Sequence, residues 1–552
     1  MEIQSSASSV INLDLDNNSG NRILVQDVEA EVDSIDEDVY QVKPSDESKQ
    51  GESKKLLRDQ LRRTLTSNHV IAEPSSKNRG SAHLLPDARK SSNYHRPREY
   101  FILTDAGKPV FISRGTNTDD RDISSMLGIM QALISVFIDD GDKLKSINAG
   151  KTRITFLQRP PLYYACVSTW GEPESVTRSQ LEYLHLQIIS VITSAQLKRI
   201  FERRGNFDLR RLLGGADTFL TTMIARLQLD LAISMSALRC LRLDPLLRTK
   251  LAQALVPSGK ITKVCDILYV ILVAQSEIIT LIRPKKHSVH PADIHILLTT
   301  LASPSLSNSP ASAMWVPLCL PKWNEGRMVN AYVVNIPYIS GVQPTAQHDN
   351  VGNAEATIGK GNEAHTSSSN PPSLTLVCIS GGSDFDSVRA WCDQASASSS
   401  SLHHLRTHIF HSSYTASELG IPGLRHFVYK AKGLVQVTYP IWEDDLYREQ
   451  DIGGNNFEER KRIITLYQLV HDAIHAKGMS TLEKGEAKEG LKLQYLKTDT
   501  EAVLGWMTQP FEIYLTLSPL LPKSAAVGAA NAVARWVKKE ENKLFLKDAP
   551  VF

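Results

Sequence analysis

The first dense run of hydrophobic residues in the chain begins at residue 99, within the sequence REYFILTDAGKPVFIS. Two β-type segments there flank the turn sequence DAGK, which predicts a β-hairpin. Apolar residues then recur at three- and four-residue spacing over 122–138, which predicts an amphipathic helix. Three strand-like runs follow (KLKSINAG, TRITFLQR and LYYACVS), and a helix is predicted from about 176 to 204, ended by Gly205. The predicted order of this unit is ββαβββα.

The same order of elements returns twice along the chain. The second copy opens with CDILYVILVAQSEIITLIRP, a hairpin predicted to turn at Gln275 and Ser276, and continues with the helix PADIHILLTTLA, three strands and a closing helix. The third opens with LRHFVYKAKGLVQVTYP, turns at Lys432 and Gly433, and ends in the helix SAAVGAANAVARWVKKEENK. Three copies predict an α+β fold of three like domains, each a mainly antiparallel five-stranded sheet flanked by helices. The predicted domains are 98–258, 259–420 and 421–552.

Residues 1–97 have a different composition, rich in Ser, Asp, Glu, Lys and Asn, with only scattered apolar residues. Such a segment cannot bury enough apolar surface to offset its conformational entropy, so a disordered arm is predicted. The arm is either a solvated tail or a regulatory segment whose charge is changed by phosphorylation of its Ser and Thr residues. Residues 341–372 and the serine run near 395–401 are predicted to be flexible insertions.

Composition limits the classes of function that the chain could have. The 552 residues carry a formal net charge of +2, which gives no overall attraction to nucleic acid. The N-terminus has no apolar signal segment, and the longest apolar run without a charge, 123–138, is too short to span a bilayer. A cytosolic protein with at most peripheral membrane contact is therefore expected. The six cysteines have no CxxC spacing and are predicted to be buried thiols: Cys166, Cys240, Cys265, Cys319, Cys378 and Cys392.

The helix predicted over 122–138 has an unusual outer side. Its core stripe is regular, but the opposite side carries small or apolar residues and no charge: Ser124, Ser125, Gly128, Ile129, Ala132, Ser135 and Val136. A helix surface that faces solvent normally carries Lys, Glu or Arg. Two explanations are open. Either the helix is buried on all sides within its own domain, or this side docks a partner.

Motifs for covalent chemistry are weak throughout the chain. Residues 352–360 superficially suggest a phosphate-binding loop, but Ala354 stands at a required glycine and Gly361 at the Ser/Thr position. The segment ISGGSD at 379–384 joins a strand to a helix, and a simple N-cap by Ser383 or Asp384 explains it. No catalytic residue and no cofactor are predicted.

Two groups of histidines are candidates for metal ligands. A histidine-rich stretch contains His403, His404, His408 and His411 and is better explained as a solvated polar loop. The sequence HDAIH places His471 and His475 one helical turn apart. The metalloprotease motif requires Glu where Asp472 stands, together with a third ligand. No metal site is predicted from these patterns.

Four stretches of sequence carry a resemblance to a known family: FILTDAGKPVF, SSMLGIMQALISVF, KLKSINAGKTRITFLQRPPLYYACVS and IFERRGNFDLRRLLGG. The most specific strings are NFDLRRLLGG at 206–215 and WVPLCLPKWN at 315–324. They resemble the Mon (SAND) family of vacuolar fusion proteins, and the resemblance covers about residues 98–552. It implies that the three repeated domains are longin domains.

The resemblance also implies a function without covalent catalysis. Members of this family form a heterodimer with a Ccz-type longin subunit, and the pair is a guanine-nucleotide exchange factor for the late-endosomal Rab GTPase. Recruitment by the early-endosomal Rab GTPase and by acidic phosphoinositides is implied as well. The expected location is the cytosol and, peripherally, late endosomes, vacuoles or lysosomes, and autophagosomes. The rival interpretation is a longin scaffold or tether that does not affect nucleotide exchange, because fold alone does not decide function.

Candidate site residues follow from these patterns. The partner and Rab interface is assigned to one face of the first helix: Asp122, Ser125, Gly128, Ile129 and Ala132. Trp315 is a candidate for a second Rab surface, or else part of the core. Two basic clusters are either solvated faces or contacts to anionic lipid: Arg283, Lys285 and Lys286, and Lys538 and Lys539.

The string NFDLRRLLGG leaves two possibilities open. Arg210 and Arg211 could bind an acidic partner. Alternatively, Gly214 and Gly215 end a helix, with Phe207 and Leu212 packed beneath it.

Overall fold

The computed structural model describes residues 97–113, 120–307, 313–336, 374–398, 405, 409, 412–443, 456–475, 492–547 and 549–552. The predicted arm up to residue 96, the insertion at 341–372 and residues 399–401 of the serine run lie outside the described residues, whereas residues 395–398 are helical and not the predicted loop.

The first domain has the predicted order of elements. Its members are β1 (Glu99–Thr104), β2 (Pro109–Ile112), α1 (Asp120–Asp139), β3 (Ser146–Ala149), β4 (Thr152–Arg159), β5 (Leu162–Ser168), α2 (Glu174–Val191) and α3 (Ser194–Arg203). The strands form one sheet in the order β2-β1-β5-β4-β3. Every neighbouring pair is antiparallel. One face of the sheet packs on α1 and the other on α2 and α3.

The prediction of one helix over 176–204 is wrong, because two helices occupy that stretch. Thr193 interrupts it: its side chain accepts a hydrogen bond from the Gln196 N–H, and the Gln196 side chain accepts one from the Thr193 N–H. This reciprocal capping box satisfies the free N–H groups of a new helix start. The second helix ends with Arg204 as its C-cap, and Gly205 is not in the left-handed conformation expected of it.

The second domain follows the prediction closely. It consists of β7 (Ile267–Ala274), β8 (Glu277–Ile282), α8 (Pro291–Ala302), α9 (Pro304–Ser307), β9 (Ala313–Cys319), α10 (Pro321–Asn324), β10 (Met328–Ile336), β11 (Leu374–Ser380) and α11 (Phe385–Ser398). The sheet order is β8-β7-β11-β10-β9. The predicted turn is confirmed, since Gln275 and Ser276 have φ of 52° and 64°. Positive φ at both central residues is the requirement of a tight type I′ hairpin.

The third domain contains β12 (Leu424–Ala431), β13 (Gln436–Thr438), α12 (Asn456–His475), β14 (Leu493–Lys497), β15 (Ala502–Met507), β16 (Phe511–Leu517) and α13 (Lys523–Leu544). Its two long helices cover opposite faces of the sheet. The α+β class and the ββαβββα order are thus confirmed in all three domains.

The stretch between the first and second domains has structure that the sequence did not indicate. It forms a 3-10 turn (Leu209–Arg211), α4 (Asp217–Leu229), α5 (Leu231–Ser234), β6 (Leu238–Arg239), α6 (Pro245–Ala254) and α7 (Gly259–Cys265). Strand β6 pairs in parallel with β13, so the third sheet has six strands, in the order β14-β15-β16-β12-β13-β6. The prediction of five strands was wrong there because the sixth comes from outside the third repeat.

Residues of this connection also fill the cores of the later domains. Leu231, Ala232 and Met235 pack among residues of the third domain, whereas Leu241 and Leu251 pack in the second. Arg248, on α6, attaches this connection to the end of α13. Its buried guanidinium donates hydrogen bonds to four carbonyl oxygens, those of Leu241, Asn542, Lys543 and Phe545. The Asn542, Lys543 and Phe545 carbonyls lie at the end of α13, where carbonyl groups have no partners within the helix, and the Lys543 carbonyl also accepts from the Leu243 N–H.

The six cysteines are free and buried, as predicted. Burial raises the pKa of the Cys166, Cys240 and Cys319 thiols to about 12. These thiols are therefore protonated at neutral pH and behave as small core residues.

Candidate functional site

The outer face of α1 is exposed to solvent. Ile129 is 61% exposed and Ile138 is 40% exposed, which is unusual for isoleucine in a folded domain. Ile138 lies nine residues further along, on the opposite side of the helix, whereas small exposed residues surround Ile129 on its own face: Ser124, Ser125, Gly128 and Ala132. The alternative in which α1 is buried on all sides is wrong, because only its inner stripe is covered. We call this exposed set the α1 face.

The inner side of α1 holds the helix rigidly on the sheet. Leu127, Met130 and Ile134 are at most 8% exposed and pack with sheet residues such as Phe101 and Phe156. The Gln131 side chain adds a hydrogen bond of 2.8 Å from Nε2 to the carbonyl oxygen of Asp105, in the β1–β2 turn. The α1 face is thus presented by a helix that is anchored along its length, which reduces the ordering cost of docking.

Gly128 lies at the centre of the α1 face. A Cβ placed on it would have no heavy atom within 4 Å, so a side chain here would project into open space. Substitutions at Gly128 therefore test docking without disturbing the domain. The side chain of Asp122 lies outside what the structure describes.

The C-terminal end of α1 is acidic. Its last turn has no basic residue, and Asp139, Asp140 and Asp142 are exposed there. Carboxylates at a helix C-terminus interact unfavourably with the helix dipole.

The string NFDLRRLLGG forms a short 3-10 turn, in which Phe207 packs on the first domain's core as predicted but Leu212 does not. Leu212 is 46% exposed, whereas Leu209 and Leu213 are buried against the first domain's core. Asp208 caps the turn by accepting from the Arg210 N–H, and it also pairs with the Arg210 side chain at 3.2 Å. The leucines that pack in the core are therefore Leu209 and Leu213, and not Leu212 as predicted.

Trp315 lies on β9, the edge strand of the second sheet. Its ring is partly buried and packs edge-on to Phe385, with ring centroids 5.4 Å apart, and beside Tyr332 at 6.3 Å. The side chain thus contributes to packing and also reaches the surface.

Arg283 is not available to a lipid headgroup, so its assignment as a lipid contact is wrong. It is only 6% exposed, and its guanidinium donates to the carbonyl oxygens of Pro284 and His287, within the turn that it stabilises. A planar guanidinium can bind several carbonyls at once, which explains why an arginine is buried here. Lys285 and Lys286 are exposed on the same turn.

The second basic cluster, on α13, is exposed but partly neutralised. Lys538 pairs with Glu541 at 2.7 Å, and Lys539 is exposed next to it. Glu541 also pairs with Lys547 at 2.9 Å. The local field is therefore weaker than the lysines alone suggest.

The histidine pair of the sequence HDAIH gains a third group that sequence spacing could not indicate. His471 and His475 lie on α12, and Glu512 lies on β16, so that possible ligand atoms of all three are within 4.8 Å of one another. The histidines of the other stretch, His403, His404, His408 and His411, lie outside the described residues.

Among the helices that the structure describes, none combines the length and the apolar character needed to cross a membrane.

Family comparisons agree with the three-domain architecture. Models of the first, second and third longin domains of FUZ, MON1 and HPS1 match residues 98–223, 265–348 and 423–541. Together with the three ββαβββα units, these matches place the chain in the class of proteins with three longin domains.

Similarity to individual proteins identifies the family within this class. The chain is 41% identical over 514 residues to the vacuolar fusion protein MON1 of Cryptococcus neoformans, covering 91% of this chain and 74% of that protein. It is 30% identical over 465 residues to human vacuolar fusion protein MON1 homolog A, covering 83% and 62%. Protein SAND of Takifugu rubripes is 28% identical over 489 residues, covering 88% and 82%. The chain belongs to the MON1 (SAND) family.

Proposed function

We propose that this chain is one subunit of a heterodimeric guanine-nucleotide exchange factor for the late-endosomal or vacuolar Rab GTPase. In this role it promotes endosome maturation and the fusion of autophagosomes and vacuoles. The observation that carries the proposal is the α1 face, an uncharged and exposed helix surface that includes Ile129. The relatives named as vacuolar fusion proteins support the same process.

The proposed partner is a Ccz-type subunit whose own longin domain docks on the α1 face. Small residues there allow a second backbone to approach closely, and Ile129 supplies apolar surface for the centre of an interface. The Rab would bind across the two paired domains.

The exchange mechanism requires no nucleophile or general base. A Rab holds its nucleotide through switch loops that contact phosphate and magnesium. A factor that binds the nucleotide-free arrangement more tightly than the bound one must lower nucleotide affinity by the same ratio. The α1 face and its partner would supply that differential binding.

Recruitment to membranes is proposed to use other surfaces of the chain. Trp315 on the edge strand is the candidate contact for the early-endosomal Rab. The exposed lysines Lys285, Lys286, Lys538 and Lys539 are the candidate contacts for acidic phosphoinositides. Normal recruitment of a folded Trp315→Ala variant would argue against the first assignment; its fold must be checked because the ring packs on Phe385.

The proposal is tested by release of fluorescent GDP from a panel of purified Rabs. The chain is added alone and together with its Ccz-type partner. Acceleration for the late-endosomal Rab by the pair, but not by either subunit alone, is expected. A well-formed complex that accelerates no Rab would refute the exchange function and support a tethering scaffold instead.

A further inference from the structure

The end of helix α12 carries a cluster that the proposed function does not use. His471 and His475 are one turn apart, and their rings are stacked with centroids 4.0 Å apart and planes inclined by 22°. Glu512 projects from the adjoining strand β16 and is buried. His475 is exposed at the surface, so an ion could reach the cluster from solvent.

The hydrogen bonds of His475 fix which of its nitrogen atoms faces the carboxylate. Nδ1 lies 2.9 Å from the carbonyl oxygen of His471, which can only accept, so Nδ1 carries the hydrogen. Nε2 then points at Glu512 and lies 3.3 Å from Oε1. Two lone pairs facing each other require a cation between them, either a proton on Nε2 or a metal ion.

Glu512 is ionised, and its orientation is fixed by a second partner. Burial alone would raise the pKa of Glu512, but the hydrogen bond from His475 and the charge of Lys430 outweigh it and lower the pKa to about 2. The Tyr514 hydroxyl donates to the other carboxylate oxygen at 3.1 Å. Oε1 is thereby directed toward the histidines, the arrangement in which outer hydrogen bonds orient a metal ligand.

His471 is neutral as well as close. Burial, and then the charge of His475, lower the pKa of His471 to about 3. Lys430 is the opposing feature: it is buried directly across the ladder from Glu512, and its positive charge weakens the binding of any dication.

We propose that His471, His475 and Glu512 form a binding site for a divalent transition metal, with zinc as the ion that best fits two imidazoles and one carboxylate. Zinc accepts this ligand set with a fourth position left to water. Tetrahedral zinc needs its donor atoms roughly 3.4 Å apart, so small side-chain rotations would close the present spread of up to 4.8 Å. The site is independent of the α1 face and goes beyond the exchange function.

A bound ion would tie the last turn of α12 to the sheet of its own domain. The same turn also contacts the first domain, since Asp472 accepts a hydrogen bond from the Ser175 hydroxyl on α2. Zinc binding would therefore stabilise the third domain at the point where it meets the first.

The test uses the purified full-length chain, freed of metal by dialysis against a chelator and titrated with zinc against a chromophoric competitor. One tightly bound zinc per chain is expected, and His475→Ala should weaken its affinity roughly tenfold or more. His475→Ala also removes a hydrogen bond to buried Glu512, so the metal-free variant should unfold at a somewhat lower temperature than the metal-free parent, and its fold is checked before the titration. Lys430→Met should bind zinc more tightly than the parent, because it removes the opposing charge. If the three side chains had only a structural role, this variant would not gain zinc affinity.

A matched control is available within the chain. His404 and His408 have the same four-residue spacing in the sequence, and the His404→Ala, His408→Ala double variant should leave the zinc affinity unchanged. The proposal is overturned if no zinc binds, or if zinc binds equally well to the parent and to His475→Ala. A loss of binding in the control variant alone would also overturn it.

Discussion

If a partner docks on the α1 face, the variant Ile129→Asp should lose most of its affinity for that partner. Complete burial of an isoleucine side chain contributes roughly 1.5–3 kcal/mol. Since 61% of Ile129 is exposed, its burial by a partner would contribute about three-fifths of that, or about 1–2 kcal/mol. An unpaired carboxylate at the same position adds a desolvation cost of several kcal/mol. Partner affinity should therefore fall by at least about 100-fold, which corresponds to about 3 kcal/mol.

The assay is the equilibrium binding of the purified chain to its Ccz-type partner, measured by calorimetry. Leu520→Asp is the matched control, because Leu520 is 91% exposed and lies in the third domain, away from α1. Both variants should unfold at the parent's temperature, since neither side chain is in a core.

The expected result is a large loss of affinity for Ile129→Asp and none for Leu520→Asp. Parent-like binding by Ile129→Asp would refute the assignment of α1 as the docking helix. Equal losses in both variants would show that the effect does not depend on this face.

The remaining predictions concern stability and membrane binding. Burial lowers the pKa of His185 and His295 to about 4 and that of His426 to about 3. Below pH 6.5 these histidines bind protons in the unfolded chain but not in the folded one. They should therefore not reduce the free energy of unfolding above pH 6.5, and should reduce it increasingly as the pH falls below that value. At pH 5 each histidine should contribute a loss of about 2 kcal/mol, measured by urea unfolding across pH; constant stability from pH 7 to pH 5 would contradict this. Leu213→Ala should cost about 2–5 kcal/mol in the same assay, and Leu212→Ala less than about 1 kcal/mol; the reverse order would be inconsistent with the observed packing. The double variant Lys285→Glu, Lys286→Glu should bind phosphoinositide vesicles less tightly, with a loss of about 1 kcal/mol or more of binding free energy per lysine at low salt, measured by co-sedimentation. Unchanged binding would show that this turn does not contact the lipid.

The regular elements could be predicted because their signals are local. The turn at Gln275 and Ser276 and the helix that begins at Pro291 were both found where the sequence indicated them. The absence of charge on the α1 face could also be recognised before the structure was considered, because helical periodicity assigns each position to a side. Its exposure could not, since an uncharged face is equally compatible with a buried helix.

The features that were missed depend on partners that are distant in sequence. Strand β6 has only two residues, and it is defined by pairing with β13, about two hundred positions later. Arg283 was grouped with Lys285 by sequence, but the carbonyls that it binds exist only in the folded turn. Glu512 was not associated with His471 because the strand that carries it is brought to α12 by the sheet. Sequence spacing contains none of this information, whereas the mid-helix break at Thr193 was available from the capping-box pattern of Thr193 and Gln196.

If the α1 face builds an exchange-competent heterodimer, as we propose, a bulky charged substitution on that face should stop nucleotide exchange. The most direct measurement is the rate of GDP release from the late-endosomal Rab in the presence of the Ccz-type partner, comparing Gly128→Arg with Gly528→Arg. Both glycines are exposed on helices, and a Cβ at either position meets nothing within 4 Å, so only the location differs. We predict that Gly128→Arg abolishes the acceleration, together with partner binding, and that Gly528→Arg retains both. Parent-like exchange and partner binding by Gly128→Arg would show that the α1 face is not the docking surface.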